Sequence, residues 1–308
     1  MSELRAALGD YLIVRRRLGY QLDKAEELLS GFVGYLEQQG ATHITTDLAL
    51  AWATRPAGAH PAWWRHRLGA VRGFARYLRC ADPRTEVPPT DLLPATQPRM
   101  TPYLYSEGDI ARLMAVAHDL APAFRGTTYE TVIGLLVVSG LRIGEVLRLG
   151  RDDIDEDRLA LVVRRSKPGS SREVPLHETT METLRSYARL RDREFPVLVS
   201  ESFFVSARGT PLAYTTVRTT FRELVSAAGL EGRGARCRPR IHDIRHSFAV
   251  ASVVNWYREG ADVDAKLPAL SAALGHVDPA STYWYLEAAP ELLAIVAKRL
   301  ATVLSELP

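Results

Sequence analysis

Six prolines fall between residues 82 and 102: Pro83, Pro88, Pro89, Pro94, Pro98 and Pro102. Each removes a backbone donor and fixes φ, so no helix or central strand survives that density. The chain must fold as two pieces. At 308 residues it is long enough for each piece to bury a core of its own. The boundary is placed near residue 99, giving a helical unit over 1–98 and a larger unit over 99–308. Residues 82–102 act as a semi-rigid linker between them.

Ahead of the prolines the apolar residues recur at helical spacing. Leu4, Leu8, Tyr11 and Leu12 mark a first helix, interrupted by Arg15-Arg16-Arg17 and Gly19. Leu22 to Leu36 carries Leu28, Leu29, Phe32, Val33 and Leu36 on one stripe and stops at Gly40. Thr45-Thr46-Asp47 caps a short helix through Trp52, and Arg55-Pro56 ends it. The fourth helix, Pro61 to Arg79, buries Trp64, Leu68, Val71, Ala75 and Leu78. Its Arg65, Arg72, Arg76 and Arg79 share an adjoining sector, with no acid in the segment. Such a face is either solvated or laid on a phosphate backbone, and the one-sided charge points to the backbone.

Beyond the prolines, Ser106-Glu107-Gly108-Asp109 opens a helix through Ala117. Thr127 to Ser139 is apolar enough to be a buried helix, and Leu141 to Leu149 starts another directly after it. Arg158 to Arg165 reads as a strand, residues 167–171 as a turn and Arg172 to Leu176 as the returning strand. Helices follow at Thr179–Arg193, Tyr214–Ala228, Arg245–Tyr257, Lys266–Leu274 and Pro290–Leu304. The expected fold class is mainly α: a helical N-terminal unit, then a mixed α/β domain, mostly helical with a small antiparallel sheet. Cys80 and Cys237 lack the spacing of a disulfide framework or a zinc site. With neither a secretory signal nor a bilayer-length apolar run, a soluble cytoplasmic protein is expected.

Net charge is only +3, from 39 basic and 36 acidic residues, a weak pointer to nucleic acid. The basic residues are nearly all arginine, which suits bidentate phosphate recognition but also follows from a GC-rich genome. The chemistry concentrates around Leu274-Gly275-His276, followed nine positions after the histidine by Tyr285. A tyrosine hydroxyl attacks a phosphodiester only if other groups stabilise charge on the non-bridging oxygens and a proton reaches the leaving oxygen. Arg142 lies at a turn beneath the buried helix with Glu145 one helical turn on, aimed at something or paired on a surface face. His242 and Arg245 are three apart, so one helical turn presents both. Arg236, Arg238 and Arg240 make a dense basic approach or a solvated loop, and Lys167 rides a hairpin tip where a surface lysine is also at home. Tyr283 and Tyr285 point roughly 200° apart on a helix, so only one faces the arginines.

The joint order of these pieces resembles the tyrosine recombinase, or phage integrase, family. Ser139-Gly140-Leu141-Arg142-Ile143-Gly144-Glu145-Val146-Leu147-Arg148-Leu149, His242-Asp243-Ile244-Arg245-His246-Ser247-Phe248-Ala249 and Leu274-Gly275-His276 match its signature boxes. The likeness spans the second domain; the first is similar to the family's core-binding domain at the level of pattern. Tyr283-Trp284-Tyr285-Leu286 and Pro102-Tyr103-Leu104-Tyr105-Ser106 look most like recombinases of transposons and integrative elements. The resemblance implies that Arg142 and Arg245 clamp the scissile phosphate and that Lys167 protonates the leaving 5′ oxygen. His242 would assist proton transfer, His276 would hydrogen-bond a non-bridging oxygen and Glu145 would buttress its neighbours. Tyr285 would form the 3′-phosphotyrosine link, with Tyr283 supporting. Pro168 departs from the glycine usual after the lysine. The implied partner is double-stranded DNA, held in a clamp of two lobes. A homotetramer is implied in the synaptic complex, a monomer or dimer alone, and sister recombinases are possible partners; no membrane, cofactor or metal is implied. A type IB topoisomerase and a DNA-binding regulator with an unused site are the rival readings.

Overall fold

The structure, a computed structural model, describes residues 2–94, 100–164, 171–197, 200–234 and 236–276. It divides into one unit over residues 1–99 and a second over 100–308.

In the first unit four helices form where the apolar stripes recur: α1 (Glu3–Arg17), α2 (Asp23–Gln38), α3 (Thr46–Thr54) and α4 (Pro61–Leu78). The Ser2 hydroxyl caps α1 by accepting from the Arg5 amide, Thr45 does the same for α3, and Pro61 sits at the first position of α4, where its missing N–H is harmless. Helix α1 continues through Arg15-Arg16-Arg17, where an interruption is predicted; three cations complement the negative end of a helix. Phe32, Val33, Leu36, Leu68, Val71 and Phe74 are buried together at the centre.

The proline-rich stretch corrects one expectation. From Asp82 to Pro94 it is part of the first unit's core rather than a spacer: Thr85 is buried and Val87, Leu92 and Leu93 pack on the helices. The Glu86 amide donates to the Ile44 carbonyl at 2.8 Å, and the Glu86 carboxylate accepts from the Thr46 amide at 2.7 Å. An extended proline segment makes no repeating hydrogen bonds of its own, so its carbonyls need outside donors. Arg72 supplies two, to Pro88 at 2.7 Å and Pro89 at 2.8 Å, and Arg65 supplies one to Pro94.

The second unit runs α5 (Glu107–His118), α6 (Ala123–Ser139), α7 (Ile143–Val146), a 3₁₀ turn at Arg151–Asp153, β1 (Ile154–Asp155), β2 (Ala160–Val163), β3 (Arg172–Pro175), α8 (Glu178–Glu194), α9 (Tyr214–Ala227), α10 (Ile241–Arg258) and α11 (Val263–Leu274). The strands form one antiparallel sheet in the order β1-β2-β3, with Leu161 opposite Val174 and Val163 opposite Arg172. Helix α6 is central and packs against α5, α8 and α10. Three boundaries differ from the sequence prediction in ways that matter for the site. The helix expected over Leu141–Leu149 is the single turn α7, with Arg142 in extended conformation before it. Helix α10 starts at Ile241, so His242 joins its first turn. Helix α11 starts at Val263, capped by Asp262, and accommodates Pro268 in its interior. The helix expected at Pro290–Leu304 lies outside the described residues. No described helix is long and apolar enough to cross a membrane.

Gly140 closes α6 in the left-handed region, at φ +60°, and a Cβ there would lie 2.3 Å from the Phe248 ring of α10. Both the backbone conformation and the close approach require glycine. Gly140→Ala should cost the second unit about 3 kcal/mol, combining the left-handed strain with overpacking. Urea unfolding followed by a probe in that unit checks this.

Candidate active site

The site is built on the end of α11. A helix leaves its last four carbonyls without intrahelical donors. Gly275, at φ +68°, turns the chain so that the His276 amide bonds the Ser271 carbonyl at 3.0 Å and the Gly275 amide bonds Ala272 at 2.9 Å, a Schellman pattern. The next two carbonyls are taken by arginines from elsewhere. Arg172 Nε of β3 donates to Ala273 at 2.7 Å, and Arg245 Nη2 of α10 donates to Leu274 at 2.7 Å. Arg142 Nη2 reaches the Gly275 carbonyl at 3.4 Å. Three guanidinium groups thus surround the negative end of one helix, each held by a consecutive carbonyl.

Glu145 locks two of them. Its side chain is 5% exposed, in the buried turn α7. Oε1 accepts from Arg142 Nη1 at 3.0 Å and Arg172 Nη1 at 3.1 Å; Oε2 accepts from the Arg142 amide at 2.9 Å and Arg172 Nη2 at 2.9 Å. Burial alone would raise its pKa, but the hydrogen bonds from Arg172 and the Arg142 amide, with both cationic charges, outweigh that and hold it near 2. A carboxylate with both oxygens so fully engaged is an anchor, not a proton carrier. Its i,i+3 pair with Arg142 forms, but with the acid buried rather than on a surface face. The Arg142 side chain keeps 39% exposure, leaving an outer edge of its fork to meet an anion.

Arg245 is buried, at 1% exposure. Besides Leu274, its guanidinium donates to the Gly140 carbonyl at 2.9 Å and lies 2.8 Å from His276 Nε2. Both carbonyls sit at helix C-termini, where the aligned peptide dipoles offset the cost of burying a cation. A guanidinium only donates, so in this contact His276 accepts on Nε2. His242, one turn before Arg245, keeps solvent access. Its pKa is lowered by partial burial and by the charges of Arg245, Arg240 and Arg142, against the opposing pull of Asp243. His246 stands edge-on to it, ring centroids 5.1 Å apart, and is pushed down to about 3 by burial and its cationic neighbours.

Arg142, Glu145, Arg245 and His276 therefore come together, with His242 one helical turn away. Lys167 and Tyr285, with Tyr283 and Pro168, lie outside the described residues. Of the other arginines, Arg76 and Arg79 are exposed, as are Arg236 and Arg238. Arg65 and Arg72 hold proline carbonyls, and Arg240 pairs bidentately with the fully buried Asp243 at 2.7 and 3.0 Å. The sequence prediction missed Arg172. Alternation along β3 carries the signal: Arg172 shares a strand face with buried Val174, and a cation on a buried face needs a partner.

Three guanidinium groups and the His276 ring thus gather at one capped helix end, a concentration of positive charge suited to an anion. Residues 104–291 match the phage integrase family. The chain is 43% identical over 306 residues to the integrase/recombinase y4rB of Sinorhizobium fredii, covering 97% of this chain and 98% of that one. It is 29% identical over 244 residues to tyrosine recombinase XerD of Caulobacter vibrioides, covering 78% and 75%. The Tn1549 transposon integrase, solved with transposon right-end DNA, shares the fold at a TM-score of 0.64 and 16% identity, covering 96% of this chain and 99% of that one. The chain belongs to the phage integrase family of tyrosine recombinases.

The buried histidine carries a pH prediction. An unfolded chain protonates His246 from about pH 6.5 downward, whereas the folded protein resists until about pH 3. A depressed pKa means stability is present above the unfolded value and is lost as pH falls through this window. Thermal unfolding should show that decline in the wild type and a shallower one in His246→Gln; equal slopes would refute it.

Proposed function

We propose that this enzyme is a site-specific DNA recombinase that cuts and rejoins duplex DNA through a 3′-phosphotyrosine, moving a mobile element into or out of its target. The observation that carries the reading is the gathering of Arg142, Arg245 and His276 on the α11 end, with Glu145 fixing the first arginine from behind. That geometry suits a trigonal-bipyramidal phosphorus: two cationic forks and one imidazole around non-bridging oxygens whose negative charge grows in the transition state.

The Tyr285 oxygen attacks the scissile phosphorus, and its proton passes toward His242, whose pKa is lowered by partial burial and then by the neighbouring arginines. The bond from phosphorus to the 5′ oxygen breaks, and Lys167 supplies the proton that makes a free 5′ hydroxyl. A 5′ hydroxyl from another strand reverses the steps and restores a phosphodiester. One phosphate ester replaces another at each step, so the bond energy is conserved in the enzyme-linked strand. Arg245 enters this chemistry already oriented by carbonyls, so little reorganisation is needed when the phosphate arrives. The exposed Arg76, Arg79, Arg236 and Arg238 serve as backbone contacts that position the protein without reading sequence. Exchange of four strands between two sites calls for four active sites, hence a homotetramer in the synaptic complex. A DNA substrate supports a cytoplasmic location. Kinship with an integrase/recombinase over nearly the whole chain supports this reading over unspecific DNA relaxation.

A nicked suicide substrate bearing the element's own end tests it. Wild-type protein should form a covalent protein–DNA adduct, Tyr285→Phe should form none, and Tyr283→Phe should retain it. Adduct formation by Tyr285→Phe would overturn the assignment of the nucleophile.

A further inference from the structure

Arg172 is not among the groups that the proposed chemistry uses, yet its guanidinium is fully engaged in the site. Its side chain is 11% exposed, and all three guanidinium nitrogens are engaged: Nε with the Ala273 carbonyl at 2.7 Å, Nη1 with Glu145 Oε1 at 3.1 Å and Nη2 with Glu145 Oε2 at 2.9 Å. Those partners lie on two different elements, and Arg172 itself lies on a third. Glu145 in α7 carries Arg142 on the other edges of its carboxylate. Ala273 lies three residues before His276 and one before Leu274, whose carbonyl holds Arg245. On its own strand, Arg172 pairs with Val163 of β2, the last register pair before the segment that contains Lys167.

We propose that Arg172 is a positioning residue for DNA cleavage: it sets the Arg142 anchor, the α11 end and the Val163–Arg172 end of the sheet in register with one another. It acts through Glu145 and the Ala273 carbonyl rather than through the phosphate. The planar fork is the property that matters. Two parallel N–H groups face the carboxylate while Nε–H points away at the angle needed for the carbonyl. Lysine preserves the charge and the stem but concentrates its donors on one nitrogen, so it cannot bridge a carboxylate bidentately and reach a carbonyl on a separate helix. Among the described residues, removing the fork would leave Glu145 held by Arg142 alone. The end of α11 would then pivot about Arg245, with His276 moving by the fraction of an ångström that in-line displacement does not tolerate.

The proposal rests on the recombinase reading, and the experiment separates the two. Single-turnover adduct formation on the nicked substrate and equilibrium binding to the same DNA are measured for wild type, Arg172→Lys, Glu145→Gln and the double variant. Arg172→Lys should cleave about ten-fold more slowly or worse, with a dissociation constant within about three-fold of wild type, because the lost geometry acts in the transition state and not in binding. The losses in Arg172→Lys and Glu145→Gln should be strongly non-additive, since they break one connection. Cleavage by Arg172→Lys at the wild-type rate overturns the proposal, as does a loss that merely tracks weakened binding or a reduced folded fraction. So does simple multiplication of the two single losses. A wild type that forms no adduct brings down the recombinase reading and this proposal with it; a competent wild type with an unaffected Arg172→Lys brings down this proposal alone.

Discussion

The C-terminal end of α11 is the constraint on which the site depends. A helix terminus must find donors for its last carbonyls, and here the turn at Gly275 supplies two while Arg172 and Arg245 supply the others. The same requirement that satisfies the backbone therefore orients the cations and delivers His276 beside them. Burial of Arg245 is tolerable because its donors meet the carbonyls of Gly140 and Leu274, both at negative helix ends. On the proposed function, a phosphate entering this place would meet positive charge already desolvated and fixed, the condition under which such charge contributes most to a transition state.

Arginine does different work in the two units. Along α4, the fork of Arg72 and the reach of Arg65 tie down proline carbonyls that have no repeating partners of their own. In the second unit, Arg240 fastens the first turn of α10 through buried Asp243, while Arg142 and Arg172 share Glu145. A basic stripe read as one phosphate-binding face thus separates into internal fasteners and exposed cations. Arg76 and Arg79 in α4, like Arg236 and Arg238 before α10, are exposed.

Much of this was legible in the sequence. The stripes of α1 to α4, the buried helix α6 and the β2–β3 hairpin follow from periodicity, and the boxes around Arg142, His242 and His276 identify the family. What was not legible had physical reasons. The helix predicted over Leu141–Leu149 is a single turn, because propensity along 141–149 does not register that Glu145 holds the Arg142 backbone amide from within. The two-residue strand β1 is too short to show a period. The residues from Asp82 to Pro94 read as a spacer because prolines forbid regular structure, although they do not forbid packing. Arg172 was overlooked because its partners, Glu145 and Ala273, lie 27 and 101 residues away.

The central claim is that one network, running from Glu145 through Arg142 and Arg172 to the α11 end, arranges the site before DNA arrives. Amide hydrogen exchange on the DNA-free protein tests it most directly. In Glu145→Gln, residues 271–276 and 142–146 should exchange about ten-fold faster than in wild type, a loss of about 1.4 kcal/mol of local protection, with α5 and α8 unchanged. Unaltered exchange over 271–276 in that variant would contradict the claim.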